Sequence, residues 1–203
     1  MRLARSRCSI VDVYDAAYTG VPNWDIGRPQ PAFVALVDAG LVRGPVLDVG
    51  CGTGELALFL ARQGHDVLGI DLSAMAIKQA RQKAAGRQIP ARFLVLDALD
   101  LPALRERGFT FRTVVDSAMF HVLGDRERDS FVAGLGEILR PGGLYCVLGD
   151  ARRDDRTSYG ITPDEIERRF GRVDGWEIVF AYRTAFQRRW GASPAYFVGV
   201  RRL

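Results

Sequence analysis

Three glycines at alternate positions, Gly50, Gly52 and Gly54, close the run V-L-D-V-G-C-G-T-G-E over 46–55. Their access to left-handed backbone lets a chain leave a buried strand, turn tightly and set its amides against a ligand at a helix start. A dinucleotide fingerprint is G-x-G-x-x-G with pyrophosphate on the helix N-terminus, whereas here the spacing is G-x-G-x-G and Glu55 stands where the second phosphate would arrive. A ligand with an ammonium group and no phosphate suits this turn better. The next apolar run ends in G-I-D-L-S, and Asp71, 21 residues after Gly50, is placed to accept from both hydroxyls of a ribose. That acid serves NAD and an adenosine ligand alike. In the third run, F-L-V-L-D-A, Asp97 can accept from an exocyclic adenine amine while the Ala98 amide donates to a ring nitrogen.

Such residues need a scaffold that delivers successive chain segments to one edge. From Val46 onward, short β-branched or apolar runs alternate with stretches of helical period, the pattern of a parallel sheet with crossover helices. Strands are expected at 46–49, 66–70, 92–95, 113–116 and 144–148, with two more near 176–182 and 195–200. Ser73 can cap a helix over 74–85 that Gly86 stops, and Asp125 can cap one reaching 139, ended by Pro141, Gly142 and Gly143. Thr162-Pro163-Asp164-Glu165 is a capping box with proline at the first helical position, opening a helix to about Phe170. Ligands of open α/β sheets bind outside the carboxyl ends of the strands, so the loops over 22–31 and 152–162 are read as covering the site.

Composition bounds the class. A chain of 203 residues, 48% hydrophobic and 26% charged, is expected to form one domain, with 1–45 as an N-terminal lid and helix and 46–203 as the core. The longest strongly apolar run, 56–61, falls far short of the roughly 20 residues that cross a bilayer, and no period of 20 to 50 residues marks a solenoid. Three widely spaced cysteines, Cys8, Cys51 and Cys146, disfavour a disulfide framework or a Cys-based zinc site. The N-terminal M-R-L-A-R-S-R-C-S leads into no apolar signal region, so a cytoplasmic location is expected. Of the basic residues behind the net charge of +4, only Lys78 and Lys83 are lysines. The arginines fall in scattered pairs and do not interleave with aromatics, which reads as a solvated surface and not a nucleic-acid face.

The glycine turn, Asp71 and Asp97 together resemble the class I S-adenosylmethionine-dependent methyltransferases, over nearly the whole chain from about Tyr14 to Leu203. The resemblance implies a Rossmann-like α/β fold: a seven-stranded sheet, mostly parallel with an antiparallel last strand, and helices on both faces. It implies S-adenosyl-L-methionine as cofactor. Asp48, Gly50 and Gly52 would hold the methionine end, with Cys51 and Gly54 of the same turn, while Asp71 and Leu72 take the ribose, Asp97 and Ala98 the adenine, and Asp116 bounds the methionine side. Within the superfamily, N-W-D-I-G-R-P-Q-P, D-S-A-M-F-H-V-L-G-D-R-E-R, and T-P-D-E-I-E-R-R-F-G with R-W-G resemble thiopurine methyltransferase-like small-molecule enzymes of bacteria. The plain G-C-G-T-G departs from the altered turn of the mammalian thiopurine enzymes, so their substrate is not carried over. D-S-A-M is also not the D/N-P-P-Y of enzymes that methylate base or glutamine amines, and no radical iron–sulfur or catechol-type magnesium pattern is present. A metal-free site is expected.

Methyl transfer is an in-line displacement, so alignment matters more than acid–base machinery. Tyr14 and Tyr18, four apart, share one helical face and are read either as a lid with Trp24 or as packing for an N-terminal helix; Trp24 is also placed against the cofactor. His65 follows the first helix and reads as part of its C-terminal turn. His121, just past the fourth strand, is read either as a base or acceptor-positioning group or as a structural hydrogen-bonding residue, and Asp116 is the other catalytic candidate. The reading is methyl transfer to O, S or N of a small aromatic or heterocyclic acceptor. The alternatives are an RNA methyltransferase, suggested by the basic charge, and a cofactor-binding module without chemistry.

Overall fold

The computed structural model describes residues 7–152 and 158–203. Its strands are β1 Val46–Val49, β2 Val67–Asp71, β3 Arg92–Val95, β4 Phe111–Ser117, β5 Leu139–Asp150, β6 Trp176–Gln187 and β7 Ala192–Arg202. They form one sheet in the order β3-β2-β1-β4-β5-β7-β6. Neighbours from β3 across to β5 pair in parallel, while β7 is antiparallel to both β5 and β6. Only β7 therefore opposes the rest, as expected of the last strand. Its direction follows from the tight β6–β7 connection, where the Arg188 amide donates to the Gly191 carbonyl at 2.9 Å, whereas parallel neighbours need long crossovers.

Those crossovers are α3 Glu55–Arg62, α4 Ala74–Gly86, α5 Pro102–Glu106, α6 Asp125–Ile138 and α7 Pro163–Arg169, preceded by α1 Arg7–Ala17 and α2 Pro31–Asp38. They cover both faces, which is why β1 and β2 are buried along their whole length and are apolar apart from Asp48 and the terminal Asp71. Successive residues of a strand enter opposite layers. Val46, Val67 and Val115 pack with Leu60 of α3 and Ile77 of α4, while Leu47, Leu68 and Val114 pack with Phe131 and Leu135 of α6.

The expected caps hold at two helices. Ser73 Oγ accepts the Ala76 amide at 3.1 Å and Thr162 Oγ1 the Glu165 amide at 3.2 Å. At α6 the cap lies one residue earlier than expected, at Gly124, whose amide donates to Glu127 Oε2 at 2.7 Å. The stop at Pro141-Gly142-Gly143 is also displaced. The helix ends at Ile138, β5 starts at Leu139, and the three residues form an irregularity between the pairs Phe111↔Leu139 and Thr113↔Leu144.

The N-terminal segment is tied to the carboxyl edge of the sheet at both ends. Asp15 of α1 accepts from the Ser73 hydroxyl and from the Met75 amide. Gln30, before α2, donates to the Gln187 carbonyl and accepts the Gln187 amide, each at 2.8 Å. Residues 18–30 thus roof the carboxyl ends of the strands.

Candidate active site

Beneath that roof a cavity of about 670 Å³ runs along the carboxyl edge, within the usual range for small-molecule sites. It extends from Leu96 to Leu99 after β3 to Phe186 and Arg188 at the end of β6.

The glycine turn forms its floor. Gly50, Gly52 and Gly54 have φ of +67°, +53° and +84°. A Cβ on Gly50 would meet Met119 at 2.6 Å, and one on Gly52 the Tyr18 hydroxyl at 2.9 Å, so any larger residue would close the floor against the opposite wall. Gly54 corrects its expected role. It does not line the cavity, and a Cβ there would lie 2.9 Å from Ala80 and Phe93, so its function is close packing of the turn on α4 and β3. Cys51 lines the cavity as a thiol whose pKa burial pushes well up, leaving it a small apolar wall.

Asp71 sits between two backbone donors: Gly52 N to Oδ2 and Ser73 N to Oδ1, each at 2.8 Å. It holds the turn in place and, with Leu72, still faces the cavity, where the remaining lone pairs can accept hydroxyls. Asp97 and Ala98 line the β3 end, and Asp97 Oδ1 accepts the Leu99 amide at 2.9 Å. Asp48 differs from both. It is among the lining residues, both carboxyl oxygens are buried without a hydrogen-bond partner of good geometry among the described residues, and burial, partly opposed by the nearby Ala57 amide, pushes its pKa up to about 8.

Above the turn, Trp24 Nε1 donates to Tyr18 Oη at 3.1 Å, and its ring meets Tyr14 and Tyr18 edge-on at centroid distances of 6.5 and 6.2 Å. All three line the cavity, so the tyrosines pack the N-terminal helix and wall the site at once. Sequence reasoning missed the polar cluster beside them. Thr53 Oγ1 lies 2.5 Å from Asp25 Oδ2, Lys83 Nζ is 2.6 Å from Thr53 Oγ1 and 2.8 Å from Glu55, and Arg87 reaches Glu55 at 2.8 and 3.0 Å. Burial alone would raise the Glu55 carboxyl, but the Arg87 and Lys83 contacts outweigh it and keep it below its ordinary value. Glu55 is thus anionic but neutralised, and it repels phosphate less than its formal charge suggests.

Asp116 is placed away from the site. It is fully buried, does not line the cavity, and accepts from the Met119 and Phe120 amides and the Tyr145 hydroxyl at 2.8 to 3.3 Å. Its work is to fix the chain after β4, which delivers Ser117 and His121 to the cavity. His121 lines the cavity, but its Nδ1 accepts the Asp150 amide at 2.9 Å, which puts the neutral ring's hydrogen on Nε2. Burial, partly opposed by Asp150, pushes its pKa down to about 4. A ring with its acceptor nitrogen occupied and its other nitrogen protonated can only donate, the arrangement of the hydrogen-bonding alternative and not of the base. His65 lies in the α3 C-terminal turn, its amide on Leu60 O at 3.3 Å.

Around His121 stand Tyr159, from the 152–162 loop expected to cover the site, and three groups the expected site did not include: Phe186, Arg188 and, behind them, Asp150. Asp150 is the last residue of β5, where the strand-end rule directs attention, and it was overlooked because no glycine turn marks that end. Among the described residues no group of three or more His, Cys, Asp or Glu gathers as a metal set.

A family model described as a methyltransferase domain matches residues 46–143. A solved structure described as "Conversion of a Disulfide Bond into a Thioacetal Group during Echinomycin Biosynthesis" is 34% identical at a TM-score of 0.84, covering 95% of this chain and 93% of that one. The 2-heptyl-1-hydroxyquinolin-4(1H)-one methyltransferase of Mycobacteroides abscessus is 32% identical over 69% of this chain and 64% of its own length. The chain belongs to the class I S-adenosylmethionine-dependent methyltransferases. The matched regions cover 64%, 48% and 39% of three curated relatives. Magnesium protoporphyrin IX methyltransferase from Synechocystis PCC 6803, solved with S-adenosylmethionine bound, shares the fold at a TM-score of 0.66 and 19% identity, covering 100% of this chain and 86% of that one.

The residues of this methyltransferase fit that cofactor. A buried Asp48 carboxyl without a hydrogen-bond partner suits an α-ammonium, and Asp71 and Asp97 stand at or just after the ends of the next two strands. Asp48 gives the fit a test through protons. In the free protein it holds its proton to about pH 8, against an ordinary value of 3.8, so its contribution to stability falls as pH rises across that window. An ammonium beside it favours the ionised form. Binding of S-adenosylhomocysteine at pH 7 should then release close to one proton, and affinity should rise up to about tenfold per pH unit between pH 6 and 8. Calorimetry in two buffers of different ionisation enthalpy measures the release; none in the wild type would separate Asp48 from the ammonium.

Proposed function

We propose that the chain transfers a methyl group from S-adenosylmethionine to O, S or N of a small aromatic or heterocyclic acceptor by in-line displacement. One observation carries this reading: a single roofed cavity joins the β3 end, with its adenine-type contacts, to an aromatic chamber at the β6 end. S-Adenosylmethionine supplies a methyl group on an electrophilic sulfonium. The chain's own residues bind the adenosine at Asp71 and Asp97, hold the amino acid at Asp48 and the glycine turn, and exclude water with Tyr14, Tyr18 and Trp24. Aromatic faces beside a cation contribute about 0.5 to 2 kcal/mol, and alignment of nucleophile and methyl group can lower a barrier by about 7 to 11 kcal/mol. The Mycobacteroides relative is named for a hydroxylated heterocycle, which supports the acceptor class. The motifs resembling thiopurine methyltransferase-like enzymes support an aromatic acceptor without naming it. Free Cys51 and Cys146 suit a reducing cytoplasm, where we place the reaction.

S-Adenosylhomocysteine at 100 times its dissociation constant should raise the melting temperature by roughly 5 to 11 °C. A panel of phenols, hydroxy-heterocycles and thiols with labelled methyl donor should then reveal turnover. An absent or NAD-equal thermal shift removes the cofactor assignment; a full shift with no turnover on the panel supports a binding module instead. Methylation of bulk RNA, falling steeply with salt, would support the nucleic-acid reading.

A further inference from the structure

Resting on the methyl-transfer reading above, we propose that the acceptor binds as an anion, an ionised hydroxyl or thiol on a planar ring, with its charge held by Arg188 at the β6 end of the cavity.

Arg188 is built into that end. Its Nη2 contacts Asp150 Oδ2 and lies 3.4 Å from the Tyr159 hydroxyl, while its guanidinium carbon lies 5.0 Å from the centroid of the Phe186 ring. Among the described residues no other acceptor engages it, so Nη1 and Nε remain as donors beside the cavity. Asp150 is itself pinned, taking Ser193 Oγ and the Tyr159 hydroxyl at 2.5 Å each. A second cation joins it. Arg28 lines the same cavity, meets no acid among the described residues, and lies two positions before Gln30, which is bonded in both directions to Gln187 beside Arg188. Asp150, shared among Ser193, Tyr159 and Arg188, leaves the Arg188 charge only partly compensated, and Arg28 adds to the cavity lining a cation unpaired among the described residues.

The same end holds no group ready to take a proton. His121 has Nδ1 occupied by the Asp150 amide, Tyr159 donates to Asp150, and Asp150 is shared among Ser193, Tyr159 and Arg188. The acids that line the cavity are engaged away from this end: Asp25 by Thr53 Oγ1 and the Gly27 amide, Glu55 by Lys83 and Arg87, Asp71 and Asp97 by backbone amides after β2 and β3, Glu127 by the Gly124 amide, and Asp48 lies in β1 beneath the glycine turn. The rings of His121, Tyr159 and Phe186 offer flat walls, with the His121 centroid 4.9 Å from Tyr159 and 6.2 Å from Phe186. Cationic donors, aromatic faces and no free base select an acceptor acidic enough to ionise near neutral pH.

The step then balances without a protein base. The acceptor loses its proton to solvent before binding. A lone pair on its oxygen or sulfur forms the bond to the methyl carbon as the carbon–sulfonium bond breaks and its pair returns to sulfur. An anion and a sulfonium become two neutral centres, so the methylated product loses its attraction to Arg188 and leaves.

The test uses substituted hydroxy-heterocycles and thiols whose own pKa values span about 5 to 10. The lower inflection of kcat/KM against pH should track each acceptor's pKa. A nitrophenol held with S-adenosylhomocysteine should show its anion absorbance at a pH one unit below its free pKa, a readout that needs no turnover. Arg188→Met should abolish that shift and lower kcat/KM for ionised acceptors by about 10 to 150-fold, with S-adenosylhomocysteine affinity kept and Arg188→Lys recovering part. An inflection fixed across acceptors, a preference for neutral amines, or an Arg188→Met rate within threefold of wild type would overturn the proposal while leaving methyl transfer standing. Loss of the thermal shift in wild type would instead strike the methyltransferase reading itself.

Discussion

Replacing Arg128 with methionine is expected to cost about 3 to 5 kcal/mol of folding stability, a fall in melting temperature of roughly 6 to 20 °C. Arg128 is wholly buried in α6, with Nη1 on Glu165 and Nη2 within 2.6 Å of Ser158 O and 3.1 Å of both His121 O and Gly160 O. It ties two segments, the one carrying His121 and the one carrying Ser158 and Gly160, by three backbone carbonyls. Methionine fills much of the volume but leaves those carbonyls without their charged donor and strips one cation from buried Glu165, which keeps Arg152 at 2.6 Å. Because those carbonyls belong to the segments carrying His121 and Tyr159, acceptor turnover should fall further than S-adenosylhomocysteine affinity. Arg128→Lys keeps the charge but lacks the fork and should fall between. A melt of the methionine variant within about 1 kcal/mol of wild type would show that the carbonyl fan does not hold the chamber.

The second large effect falls on the cofactor side. Asp71→Ala should weaken S-adenosylhomocysteine binding by at least about 10²-fold, since hydrogen bonds to a charged group contribute about 1.5 to 3 kcal/mol each. The variant removes the ribose acceptor and frees the Gly52 and Ser73 amides together, so the glycine turn loses its anchor at the moment the ligand loses its contact. Asp71→Asn separates the two losses. Its single amide oxygen can serve one backbone donor but not both, so it should keep more stability than alanine and still bind weakly. Titration of both variants reads this directly; an asparagine variant that binds like wild type would remove the charged ribose contact from the account.

How much of this was legible depends on the distance over which each feature is decided. The turn over 50–53, Asp71 at the end of β2 and Asp97 with Ala98 after β3 all line the cavity as their sequence context implied, while Gly54 packs behind the turn. Each is settled within one strand and the turn after it, where glycine conformations and a strand terminus leave few options. Asp116 lies one residue before the end of β4, close to where Asp71 ends β2, yet it faces the other way. It pairs with Val49 and Val147, whose side chains belong to the α6–α7 layer, whereas Asp48 pairs with Val115 on the opposite face. A strand's side chains alternate, so one residue of register decides between the site and the core, and that register is set by the neighbouring strand.

His121, Asp150, Tyr159 and Arg188 show the same limit at longer range. They come from four separate segments and meet only because β5 and β6 both end at this edge, with β7 between them, and Arg128 draws the segments together. No spacing along the chain encodes that meeting. The sequence by itself determined the strand–turn–helix order, the glycine turn and the carboxylates at or just after the ends of β2 and β3, because each depends on bonds a few residues apart. Only the tertiary structure decided which nitrogen of His121 holds the proton, where Asp116 points and which cations line the cavity, because those depend on donors and acceptors brought together by packing.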